Sequence, residues 1–257
     1  MYKINLRGRN MQKIIVLITV LFTVIPLAFG QDSVTGNAQL LRKVDRNLNP
    51  ESYQSYRKLI NIEPNGRKKE FILFTVKKGK DKVAALFISP ASEKGRSSLR
   101  LEENMWLFIP NIGKPVRITS LQSVVGGVFN NADILRLDYA EEYNVQKIQD
   151  LSGELLLYLK AKTKSVAYDQ LKMWVDKKKN LPNKVECLTQ TAMLIKTIYF
   201  KQTRDFGGGI VRPSVIETKS PLHKGYKSVM IFAGIKQRNF KDEVFTLSFM
   251  ASLETLR

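Results

Sequence analysis

The sequence predicts a mainly β protein, an incomplete antiparallel sheet curled around a core and covered by a few helices. Three observations lead there. From Ser52 onward, apolar runs of strand length recur between turn signals. None is followed by the crossover helix of about a dozen residues that a parallel pair requires. Several runs alternate apolar and polar side chains, the pattern of a sheet dry on one face and wet on the other.

Taken from the N-terminus, the first segment is an address. Residues 1–30 carry Lys3, Arg7, Arg9 and Lys13 without an acid, followed by the uncharged residues 14–30. That stretch is short for a membrane span, which needs about 20 apolar residues. Pro26 interrupts it, and Ala28 and Gly30 are the small residues of a cut site before Gln31. The expectation is a secretory signal peptide cleaved near Gly30/Gln31, with Met1 or Met11 as the start and an uncleaved anchor as the alternative. Residues 31–257 then form a single exported domain.

Residues 38–44, AQLLRKV, place Leu40, Leu41 and Val44 on one face of a helix of about three turns, ended by Asn47-Leu48-Asn49-Pro50. That face needs something to cover. Strands follow over 71–76 and 83–88 around a Lys77–Asp81 turn, then 99–102 and 105–109. Residues 121–150 break the series with a loop and one or two short helices, the kind of insertion that serves as a lid. Strands resume over 155–161, 168–176, 184–191, 194–201, 210–218 and 227–237. The total is roughly ten, and a twisted sheet that wide curls. Alternation puts Leu155, Leu157 and Leu159, then Leu171, Met173 and Val175, then Val185 and Cys187, on the dry face.

Composition narrows the chemistry. One Cys and one His argue against a disulfide framework, a zinc module and a hydrolytic triad. His223 falls in a turn, and Cys187 faces the dry side as a buried thiol. Gly207-Gly208-Gly209 lacks the Lys-Ser/Thr of a phosphate loop and reads as a hairpin turn. The carboxylate neighbours Glu102/Glu103 and Glu141/Glu142 point apart on a strand. No cofactor and no metal are implied. Lys and Arg number 42 against 23 Asp and Glu, a net charge of +19, of which +15 remains on residues 31–257. An exported cation rarely meets nucleic acid, so an anionic membrane surface is the partner that charge suggests.

The segments PASEKG (90–95), MWLFIPNIGKPVRI (105–118), GGVFNNADIL (126–135), QLKMWVDKKKNLPNKVE (170–186), IVRPSVIE (210–217) and KSVMIF (227–232) occur in that order. From about residue 38 to the C-terminus, the chain resembles the LolA-like family of outer-membrane lipoprotein-sorting proteins. The resemblance implies an open antiparallel β-barrel of roughly ten to eleven strands, its apolar concavity plugged by helices. It also implies a periplasmic carrier of lipoprotein acyl chains or lipid, with an inner-membrane transporter as donor and an outer-membrane acceptor. A hydrophobic-ligand sensor or adaptor for an envelope transporter would use the same fold, and a carboxylate hydrolase in the concavity is the remaining alternative.

On this reading the cavity lining is Phe87, Trp106, Phe108, Leu157, Leu159, Leu171, Met173, Val175, Met230 and Phe232. The lids carry Leu40, Leu41, Val44, Val128, Phe129, Ile134 and Leu135. Lys114 and Arg117 are placed for headgroup or partner contact. Met suits a wall that must adapt to variable chains.

Overall fold

A computed structural model describes residues 31–257, with side chains from residue 36 onward. The expected signal peptide, residues 1–30, lies outside the described residues. No helix among the described residues is long and apolar enough to cross a membrane.

A long helix comes first: α1 (Gln31–Leu48) starts earlier than the three turns expected, and Pro50 stands just beyond its end. Leu41, Val44 and Leu48 recur at helical spacing and are fully buried. Thirteen strands follow, not ten to eleven. The first half comprises β1 (Tyr53–Ile62), β2 (Lys68–Lys78), β3 (Lys82–Ser89), β4 (Ser97–Leu101), β5 (Asn104–Phe108) and β6 (Val116–Ile118). Two single-turn helices, α2 (Asn131–Ile134) and α3 (Tyr139–Glu142), lie in the connection that leads to the second half. That half comprises β7 (Tyr143–Asp150), β8 (Glu154–Ala161), β9 (Gln170–Asp176), β10 (Pro182–Leu188), β11 (Leu194–Asp205), β12 (Val211–Lys219) and β13 (Lys227–Gln237). Two 3-10 helices, Asp242–Phe245 and Ser248–Leu256, end the chain.

All thirteen strands form one antiparallel sheet in the order β6-β5-β4-β3-β2-β1-β13-β12-β11-β10-β9-β8-β7. Each half is a meander, and the β1–β13 pairing joins them. The unpaired edges β6 and β7 are consecutive in the chain, so the 119–142 connection leads from one free edge to the other. Side chains of β1–β3 and β5 share one buried cluster with those of β8–β13, α1 and the connection. Inner faces of both halves can meet in this way only if the sheet curls.

The two halves differ on their outer side. On β7–β11 it is wet: Lys184 lies 3.5 Å from the Trp174 ring centroid, and Lys147 and Lys172 flank Tyr158. On β2–β5 it is dry, because Phe240, Val244, Phe245, Met250 and Leu253 of the C-terminal segment cover Phe74, Val76, Leu86 and Leu99. Burial on both faces explains the unbroken apolar runs FILFTV and VAALFI in β2 and β3.

Candidate functional site

The inner wall is apolar where alternation placed it. Phe87, Leu157, Leu159, Leu171, Met173, Val175, Met230 and Phe232 all belong to the inner cluster. Leu41, Val44, Phe129, Ile134 and Leu135 of the expected lids pack into the same cluster, with Leu40 partly buried against it. Val128 is buried through its backbone as well. Its amide donates to Ser228 Oγ at 2.9 Å, and its carbonyl accepts from Lys196 Nζ at 2.6 Å. Cys187 is a free, buried thiol whose pKa burial pushes up, as befits an apolar filler.

Trp106 and Phe108 depart from expectation. Met105 takes the inward position on β5, so parity sends both aromatic rings outward against the C-terminal helices. Arg117 is exposed and stacks on the outer side of Trp106, 5.6 Å from the ring centroid, and donates to Asn104 Oδ1. Lys114 is exposed in the turn before β6. Neither cation reaches the concavity.

With α1 and the 119–142 connection packed on the wall, the hollow is filled. The two voids beneath them measure about 20 Å³ each, room for about one water molecule and not for an alkyl chain. Larger clefts open on either side of α1. One, of about 510 Å³, lies between its C-terminal turn and the β11–β12 turn; the other, of about 530 Å³, lies between Leu41, Arg42 and the start of β7. Helix α1 therefore stands between two openings.

The interior is also more polar than a simple dry face. Arg57, Lys77, Arg100, Lys196 and Arg212 occupy inward positions and are nearly or fully buried. Their partners explain this placement. Three of them hold carboxylates of the 119–142 connection: Lys77 binds Asp138 at 2.9 Å, Arg100 binds Glu142 at 2.5 Å, and Lys196 binds Asp133 at 2.9 Å. Lys77 and Arg100 stand on one half of the sheet and Lys196 on the other, so the connection is fastened across the barrel. Arg57 donates to Ile134 O at 3.0 Å, and Arg212 to Leu48 O at 2.6 Å, pinning the lid connection and the end of α1. Arg212 also meets the negative end of the α1 dipole.

The lids hold each other as well. Asn130 and Asp133 form a capping box that sets the first turn of α2. Asp138 precedes α3 but makes no cap, because its carboxylate serves Lys77 and Arg46. Instead Asp45 of α1 accepts from the amides of Tyr139 at 2.8 Å and Ala140 at 2.9 Å. Burial, with Asp138 nearby, pushes the Asp45 carboxyl up to about 7.

Among the described residues, no group of His, Cys, Asp and Glu is arranged to hold a metal ion. The inward cations were missed at the sequence level, although one signal was present. Lys77 is in phase with Leu73, and Lys196 with Ile198 and Phe200, so each continues a dry face as a charge.

A family model described only as an uncharacterized protein matches residues 79–252, more than half of the chain. No curated protein matches. The fold is similar to that of a LolA superfamily protein from Nitrosomonas europaea, with 25% identity over 83% of this chain and 98% of that one and a TM-score of 0.74. A DUF1329 family protein from Desulfovibrio piger is 20% identical over 84% of this chain and 98% of its own, with a TM-score of 0.71. An outer membrane lipoprotein-sorting protein domain from Vibrio parahaemolyticus is 16% identical over 85% and 99%, with a TM-score of 0.70. This chain belongs to the family of that model, and its fold is that of the LolA superfamily.

Proposed function

We propose that the protein is a periplasmic carrier that takes acyl chains of lipoproteins or lipids onto its inner wall and moves them toward the outer membrane, without catalysing a reaction on them. The observation that carries this reading is a barrel open between the β6 and β7 edges whose apolar wall, among the described residues, is covered mainly by α1 and the 119–142 connection. Both covers are held by polar contacts that can be exchanged.

The energetics favour a removable cover over an open trough. Each buried methylene gains about 0.8 kcal/mol, so a sixteen-carbon chain buried in full gains on the order of 12 kcal/mol, equivalent to nanomolar affinity. A carrier that tight would not release its load. Lids that fill the same wall compete with the chain, and their closing free energy subtracts from its affinity. Leu41, Val44, Phe129, Ile134 and Leu135 supply that competing apolar surface.

A transporter in the inner membrane would supply the load and an acceptor at the outer membrane would take it. The cationic outer face of β7–β11 suits transient contact with anionic headgroups. Two measurements test the reading together: mass spectrometry of organic extracts from the purified protein, and the distribution of lipoproteins and lipids between the membranes after its depletion. Co-purified lipid with cargo held back at the inner membrane is expected. Lipid-free protein and unchanged distribution would contradict it, and bound lipid with unchanged distribution would favour a sensor.

A further inference from the structure

The interior holds more positive charge than its carboxylates neutralise. Asp133, Asp138 and Glu142 are each taken by Lys196, Lys77 and Arg100, and Asp45 caps the α3 backbone. Arg57 and Arg212 are left with neutral acceptors only, and among the described residues neither has a carboxylate within 4 Å. Their guanidinium carbons lie over the same ring, 5.0 and 4.0 Å from the Phe232 centroid. Arg212 is fully buried, and its Nη2 has no hydrogen-bond partner at all. A void lined by Tyr53, Arg57, Asp133, Arg136 and Phe232 adjoins Arg57.

One acceptor of each arginine belongs to a cover. Ile134 O lies in the 119–142 connection and Leu48 O ends α1. Displacing both covers strips one carbonyl from each guanidinium. An uncharged chain entering that space would leave two buried cations short of acceptors, which is expensive. An oxyanion would replace both carbonyls with charge-assisted bonds in the fork geometry that arginine favours. Burial already pushes Arg212 down to about 9, a sign of how poorly its charge is compensated with the lids closed.

Resting on the carrier reading above, we infer that the cargo is an anionic amphiphile whose phosphate or carboxylate replaces the lid carbonyls on Arg57 and Arg212. The anion then sits beside Phe232, and the chain runs along the wall toward Met173. Neutral glycerides are the disfavoured class.

Decyl phosphate, decanoate and decanol share one tail and differ in the head, and inorganic phosphate has a head without a tail. Calorimetric titration of each into the wild-type protein, below micellar concentration, separates the cases without a variant. The expected result is that both anionic amphiphiles bind about tenfold or more tightly than decanol, and far more tightly than inorganic phosphate. Arg212→Gln, checked for folding by circular dichroism, should bring the three amphiphiles toward parity, and Arg212→Lys should keep part of the preference. Equal binding of all three tails by wild-type protein overturns the anionic assignment and leaves the carrier reading standing. Binding of inorganic phosphate with no gain from a tail assigns the site to a free oxyanion and overturns the amphiphile. No binding of any tail overturns the carrier reading itself.

Discussion

Lys196 on β11 and Asp133 in the lid form an ion pair at 2.9 Å, with both side chains more than nine-tenths buried. The same ammonium donates to Val128 O, and Asp133 also accepts from the Tyr168 hydroxyl at 3.0 Å. The pair thus ties two points of the connection to the sheet. Removing one partner of a buried pair leaves the other unpaired and costs about 3–5 kcal/mol. Lys196→Met should therefore lower the urea midpoint strongly, and adding Asp133→Asn, which keeps an acceptor for the α2 cap, should recover part of the loss. Equal stability of the single and double variants would mean that the pair does not fasten the lid.

Asp45 makes the α1–α3 contact depend on pH. Its carboxyl is raised from 3.8 to about 7, so the folded state holds a proton that the unfolded or opened state releases. Stability from this group is complete below about pH 4, falls as pH rises toward 7, and is then flat. Asp138, Arg136, Arg46 and Lys77 surround the site, so the clean measurement is the difference between wild type and Asp45→Asn. The variant should be the more stable at pH 7.5, with the gap closing toward pH 4. A gap that does not change with pH would contradict this account.

Met173 and Trp106 separate the two faces of the sheet. Met173 is fully buried on the inner wall, whereas Trp106 packs outside against the C-terminal segment. Met173→Lys should abolish uptake of an alkyl probe while circular dichroism confirms a β fold. Trp106→Ala should cost about 1–3 kcal/mol, less than a fully buried Trp, and leave uptake intact. The reverse pattern would put the cavity on the wrong side.

Gly127 offers a way to loosen the cover without touching a charge. A Cβ there would overlap the Asn61 side chain, which is held by the Ser228 hydroxyl at 2.7 Å and donates to Val125 O at 3.3 Å. Gly127→Ala should unseat the loop and raise the apparent affinity for an alkyl probe, because closure competes less. Unchanged or weaker binding would show that this loop takes no part in closure.

The strands that alternate cleanly were legible because one face is buried and the other wet, as in β8, β9 and β10. Three strands were hidden for different physical reasons. In β1 the inward positions are Tyr53, Ser55, Arg57, Leu59 and Asn61, so the interior's own hydrogen bonding erased the hydrophobic rhythm. In β7 a register shift between Val145 and Lys147 puts Val145 and Ile148 on the inner side three residues apart, breaking the period of two. The third, β6, has only three residues. Trp106 and Phe108 were assigned to the wrong face because β5 is covered on both sides, and alternation tells which residues share a face without telling which face is inside. The segments that cover the wall were legible as apolar, but the cations that hold them were not, since a charge in phase with a dry face finds its partner only in three dimensions.

Hydrogen exchange of the protein with and without a bound alkyl ligand tests the central claim most directly, because the amides of α1, α2 and α3 report the covers and those of β8–β11 report the wall. The account predicts that loading speeds exchange in the three helices while the wall strands stay protected. Helices that exchange no faster in the loaded protein would mean that the chain binds without displacing them, and the interior would then be a plain structural core.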